Sequence, residues 1–270
     1  MTITTIQYKI TWEKLPDDFP LPDDPVDNIN QPTLAAGLSD ILEQAGYLQE
    51  DVLTATNYGV CATLDGKMVV KAPDWMYVRH IWVSRDEVYR SYTPQLQGEI
   101  PTIVMEFISD TEGSEYSIKP TYPPGKWFFY ERVLQVRYYA IFDPQTGLLE
   151  FYQLDDSGRY QLQQPNPNGH YWVEGLDLFL GVWQGTKGNR TGYWLRWWDE
   201  SGQMLLWGAE LVEQERLRAE QEQQRAEQER QRAEQERLRA EQEQQRAEQE
   251  RLRAEALIAQ LRAAGIEPEA

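Results

Sequence analysis

Three residues carry the chemistry that the sequence offers. Asp74 follows a proline in VVKAPDWMYV (69–78), Glu106 interrupts the apolar run PTIVMEFISD (101–110), and Lys126 opens GKWFFYERVL (125–134) beside four aromatic residues. A carboxylate with apolar neighbours on both sides is costly to bury unless something compensates it. Burial raises its pKa, and a nearby cation or metal reverses that. If both acids meet at one sheet edge, two negative charges converge and a divalent cation is the natural partner. Magnesium sites commonly use one or two carboxylates and complete their shell with water and substrate phosphate. A lysine at a helix N-terminus opposes the helix dipole, so Lys126 makes more sense facing an anion. Around a divalent ion such a set could perform hydrolysis: the metal orients and deprotonates a water, while the lysine helps position it and neutralises charge building on phosphorus.

Each residue also has a plainer reading. Asp74, after Pro73, could be a turn or cap residue, Glu106 could be salt-bridged to Arg79 or Arg132, and Lys126 could be a surface lysine lying along its aromatic neighbours. The order of the three, on strand, strand and helix, is what favours a shared site.

The elements that must position them follow from the pattern. NQPTLAAGLSDILEQAG predicts a helix with Pro32 in its first turn, an apolar face of Leu34, Leu38, Ile41, Leu42 and Ala45, and a stop at Gly46. VCATLDGKMVV predicts a hairpin turning at Asp65-Gly66, which leaves Asp74 just beyond its second strand. IVMEFIS (103–109) is apolar on both phases, as expected of a strand covered on both faces. After the proline-rich connection YSIKPTYPPG, KWFFYERVL reads as a short helix and RYYAIFDP (137–144) as another interior strand. The middle of the chain is therefore an α/β sheet with a helical crossover. LPDDFPLPDDPVD (15–27) reads as an extended lead-in.

From 145 to 207 the expectation is short β segments, with a late hairpin in WLRWWDESGQMLLWG. Trp172, Trp183, Trp194, Trp197, Trp198 and Trp207 fall here. They could stack on sugars or bases, but such rings more often fill core.

Beyond about residue 208 the chain repeats AEQERLR/AEQEQQR with a period of seven. Leu217, Leu238 and Leu252 recur five residues from the repeating alanine, a spacing that makes a poor coiled-coil seam. Arg218 with Glu222, Arg225 with Glu229 and Arg232 with Glu236 could support a solvated single helix instead. The expected organisation is a domain over 1–208 and a charged helix over 209–270, either single or weakly coiled.

Charge and cysteine content narrow the function classes. The chain has 26 Lys plus Arg against 44 Asp plus Glu, a net −18. With 16 Glu and 11 Arg from 209 onward, the body holds −13. An acidic body argues against generic DNA coating but only weakly against an enzyme that meets nucleic acid through a local basic cleft. The single cysteine, Cys61, excludes an intrachain disulfide and a cysteine-rich zinc site, and reads as a small buried hydrophobe. MTITTIQYKITWEKLPDD lacks a signal-peptide pattern, and no apolar run approaches a membrane span. The expected location is the cytoplasm.

A Pro-Asp on one strand, a Glu on the next and a completing lysine resemble the PD-(D/E)XK nuclease superfamily. More narrowly, APDWMYV, IVMEFIS, GKWFFYER and YYAIFDP, followed by a β region and the AEQER tail, resemble the Uma-two family of restriction endonucleases. The resemblance implies a restriction-endonuclease-like mixed α/β sheet with flanking helices, and Mg2+-dependent phosphodiester hydrolysis, with Mn2+ as a substitute ion. Asp74 matches the motif's aspartate and Glu106 its acid, which makes them the implied metal ligands. The lysine normally stands two residues after that acid, where this chain has Ile108. It then falls to Lys126 on the following helix, with Lys119 as a rival. Glu43 on the first helix is a possible additional acid. DNA would be a transient substrate, and cleavage of both strands would benefit from a homodimer. Two other classes compete: a catalytically inactive nuclease-fold protein that works by protein–protein interaction through its long helix, and a carbohydrate hydrolase or binding module. The last would need the two acids about 5–10 Å apart across a sugar cleft with no lysine beside them.

Overall fold

The computed structural model describes residues 8–16, 19, 30–108, 114–263 and 265. Most of the proline-rich lead-in expected at 15–27 lies outside the described residues. The chain divides into two units, Met1–Gly208 and Ala209–Ala270.

A six-stranded mixed sheet organises the first unit. Its strands are β2 (Leu53–Ala55), β5 (Trp75–Val78), β6 (Ile103–Phe107), β7 (Tyr138–Phe142), β8 (Leu149–Leu154) and β9 (Tyr160–Leu162), in that spatial order. All neighbours are antiparallel except β6 and β7, which pair in parallel from Ile103↔Tyr138 to Phe107↔Phe142. A parallel pair needs a crossover. Here it is the segment containing α2 (Lys126–Phe128), which widens into a π-helical turn over Phe129–Leu134.

Both faces of the sheet are covered, which is why β5, β6 and β7 are buried at every position. One face packs on α1 (Gln31–Gln44) and on an antiparallel sheet of β10 (Tyr171–Val173), β11 (Leu178–Lys187) and β12 (Arg190–Trp198). Trp75, Tyr77, Met105 and Phe107 point that way, and the Trp75 indole donates to Ser39 Oγ of α1 at 2.9 Å. The other face packs on the π-turn residues Phe129, Tyr130, Val133 and Leu134, and on the hairpin of β3 (Val60–Leu64) and β4 (Lys67–Lys71). That hairpin turns at Asp65 (φ 49°) and Gly66 (φ 75°), both left-handed as a type I′ turn requires. A two-residue strand, β1 (Ile10–Thr11), extends it along β3. Cys61 is fully buried in β3.

The late hairpin is shorter than expected, and a longer one precedes it. WLRWW belongs to β12, which pairs along its whole length with β11 from Phe179↔Trp198 to Lys187↔Arg190, and the reversal lies at Gly188-Asn189. Residues 203–207 form no strand, but they fold back on the end of β12 through an Asp199 N–H to Gln203 carbonyl bond, an isolated Trp198–Met204 bridge and a Leu205 N–H to Trp197 carbonyl bond. Of the six tryptophans in the region, Trp194, Trp197, Trp198 and Trp207 are buried, and Trp172 is exposed. They are mainly core.

The second unit is dominated by α3 (Gly208–Ala263), 56 residues with none buried, about 84 Å long at 1.5 Å per residue. Its ion pairs run through Arg216, Arg237 and Arg251, each clasping a glutamate three residues before and another four after. Arg218 pairs back to Glu215. The pairs expected from Arg218, Arg225 and Arg232 to the next turn are not formed among the described residues. No helix among them is long and apolar enough to cross a membrane.

Candidate active site

Asp74 and Glu106 are brought together by strand register. Pro73 cannot donate to a ladder, and β4 stops two residues before it. β5 then starts at Trp75, paired antiparallel with β6 through Trp75↔Met105 and Met76↔Val104. One step further sets Asp74 opposite Glu106. Directly opposed residues on one face have Cβ atoms about 5 Å apart. The Asp74 carboxylate also accepts the Phe107 backbone N–H, at 2.5 Å from Oδ2. Both acids share the sheet face of Met76, Val104, Tyr139 and Ile141, the face covered by the crossover helix.

That helix supplies the third residue. Lys126 Nζ donates to Glu106 Oε2 at 2.8 Å, and the Tyr130 hydroxyl donates to Oε1 at 3.0 Å. Glu106 is wholly buried, whereas the Lys126 side chain keeps 22% of its exposure. The arrangement is therefore open to solvent on the lysine side. Burial pushes the Glu106 carboxyl up to about 8, against the pull of Lys126 and Tyr130 and with a further push from Asp74. Burial alone would lower Lys126, but the negative charges of Glu106, Asp74 and Glu115 outweigh it and raise its pKa. Lys126 is therefore a permanent cation, suited to electrostatic work rather than to proton abstraction.

The lysine is fixed by the loop before it. Gly125 starts the helix with its N–H on the Lys119 carbonyl at 2.9 Å, and a Cβ at 125 would sit 2.1 Å from the Ser117 carbonyl oxygen. Backbone has to move to admit it. Gly125→Ala is expected to cost about 2 kcal/mol or more in urea unfolding and to draw Lys126 off Glu106.

Lys119, the rival lysine, is exposed on this loop and contributes its carbonyl. Glu106 meets neither arginine considered for it: Arg132 donates to the Gly158 carbonyl, and Arg79 lines a cleft beside Thr102, at the other end of β6. Glu43 is exposed near the C-terminal end of α1. At the start of α1, Gln31 donates its amide to the carbonyl of Phe107, the residue after Glu106, at 2.8 Å. Glu43 is twelve residues along, about 18 Å away.

Sequence reasoning missed Tyr130, Gln31 and Glu115. The four-residue step from Lys126 to Tyr130 was the available signal, since residues so spaced share a helix face. Glu115 is buried, and its carbonyl accepts the Tyr139 hydroxyl at 2.9 Å.

Among the described residues no group of three or more His, Cys, Asp or Glu is placed to hold a metal. The donor set is thus two adjacent carboxylates with a cation at their open side. It fits an ion of the magnesium class, which takes few protein ligands.

The sequence profile of the Uma2 (Uma-two) family, described as "Putative restriction endonuclease", matches residues 28–184, more than half of the chain. The chain belongs to the Uma2 family. Within Uma2 its mixed sheet, with α1 on one face and the crossover helix on the other, is a restriction-endonuclease-like architecture. The Uma2 match takes in Asp74, Glu106 and Lys126 and leaves the proline-rich lead-in and α3 outside. No curated protein matches the chain.

Proposed function

We propose that this Uma2 protein is a Mg2+-dependent endonuclease, with Mn2+ as a substitute ion, that hydrolyses phosphodiester bonds of DNA through Asp74, Glu106 and Lys126. The observation that carries the reading is the Lys126 ammonium on Glu106, at the open side of an acid pair otherwise enclosed by core. An ion held there would supply a Lewis acid and a water of lowered pKa. Asp74 and Glu106 would hold it. Lys126, protonated throughout the working pH range, would bind a phosphate oxygen and offset the charge that develops on phosphorus. Exposed Lys119 and Lys67, on the loop before the helix and the hairpin beside it, would give locally the positive charge that an acidic body lacks. Lys67 lies 5.2 Å from the ring of Tyr122, which ties the loop to Met68. Lys126 beside Glu106 also argues against a sugar hydrolase.

The test is calorimetric titration of Mg2+ and Mn2+ into the wild type, Asp74→Ala and Glu106→Ala, with plasmid nicking followed on the same samples. Binding and nicking are expected in the wild type and absent from both variants. A wild type that binds neither ion sinks the reading. The second reading, an inactive nuclease fold acting through protein–protein contacts, draws on α3, whose 56 residues are all unburied. It would be favoured by a stable partner without metal affinity. We further propose a cytoplasmic location, and a homodimer as the form that cuts both strands.

A further inference from the structure

We propose that Tyr130 is a positioning residue, which together with Lys126 fixes the plane of the Glu106 carboxylate for its ion; the proposal rests on the nuclease reading. The terminal torsion of a glutamate is broad, so a carboxylate held by one donor can swing. Glu106 is held at both oxygens, by donors four residues apart on one helix face. Each oxygen keeps a second acceptor site, so the two bonds orient the group without using it up.

The two donors are not equivalent. Lys126 sits on a flexible stem, partly exposed, and is the group a substrate phosphate would share. Tyr130 has no exposure, and its ring is packed on Phe129 and Tyr139 at centroid distances of 6.0 and 5.3 Å. Tyr139 is itself anchored through its hydroxyl to the Glu115 carbonyl. The rigid partner is the tyrosine. The helix is also π-helical from Phe129 to Leu134, a geometry found mostly as single turns and often at functional sites. Partners that orient metal ligands typically carry 10- to 100-fold in metal affinity.

The test titrates Mg2+ and Mn2+ calorimetrically into the full chain as wild type, Tyr130→Phe and Tyr139→Phe. Tyr139→Phe removes a hydroxyl from the same aromatic stack without touching Glu106. Tyr130→Phe is expected to weaken the metal Kd about tenfold or more, with KM for plasmid unchanged and the nicking rate recovered at saturating metal. Tyr139→Phe is expected to lower Tm and keep the wild-type Kd. A wild-type Kd in Tyr130→Phe, or an equal loss in both variants, overturns the proposal. If the wild type binds no metal, the nuclease reading fails and takes this role with it. Should Tyr130→Phe not fold, 3-fluorotyrosine placed at 130 or at 139 reports the same point. The 19F resonance at 130 must move on adding Mg2+ while that at 139 holds, and a still resonance at 130 overturns the role.

Discussion

Glu106→Gln is expected to abolish nicking, by on the order of 10³-fold or more, while making the metal-free chain more stable at alkaline pH. The amide keeps the shape of the side chain and loses its charge. In the wild type, burial pushes the Glu106 carboxyl up to about 8 in the folded chain from an ordinary 4.5. Between those values the native state holds a proton that the unfolded state has released. Stability therefore falls as pH rises through this window, at up to about 1.4 kcal/mol per pH unit. Glu106→Gln has no such titration. With chelator present, denaturant unfolding at pH 5 should give similar stabilities for the two chains, and at pH 9 the variant should lead by a few kcal/mol. Parallel pH profiles would mean that Glu106 is charged in the metal-free fold. Added Mg2+ should close the gap by stabilising only the wild type.

The largest structural loss is expected from Trp207→Ala. The Trp207 indole is 1% exposed and donates to the Gly37 carbonyl of α1 at 3.0 Å. Its ring meets Trp194 and Trp183 edge-on, and the guanidinium of fully buried Arg196 lies 3.5 Å from its centroid. Removing it deletes a large core side chain and strips a buried cation of its aromatic support. Truncations of this kind cost about 3–5 kcal/mol, and at about 2–4 °C per kcal/mol for a domain of this size Tm should fall by roughly 10 °C. The cluster sits on the sheet face away from Asp74 and Glu106. Metal affinity measured well below the new Tm should be unchanged, and a coupled loss would show that the two faces are not independent.

What was legible in the sequence follows from which signals are local. Two acids in apolar strands announce a cost, and that cost pointed to Asp74 and Glu106. Their opposition across β5 and β6 depends on register, which only the paired strands reveal. Tyr130 was hidden because KWFFYERVL is aromatic throughout, so a hydroxyl aimed at a carboxylate looks like one more core ring. The pairing of WLRWW with β11 across Gly188-Asn189 is long-range information that the local pattern of the late hairpin does not carry, and the return after Asp199 makes a single bridge, to Met204. The ion pairs of α3 show the same limit. Every heptad offers several arginines and glutamates within reach, and rotamers rather than spacing decide which of them meet.

The absence of any buried residue along α3 has a mechanical corollary. A helix with no core is held only by its own hydrogen bonds and side-chain pairs, so its order is lost residue by residue from the ends rather than in one step. Under tension it would lengthen smoothly, one turn yielding after another. Where a packed domain breaks, this segment gives like a spring.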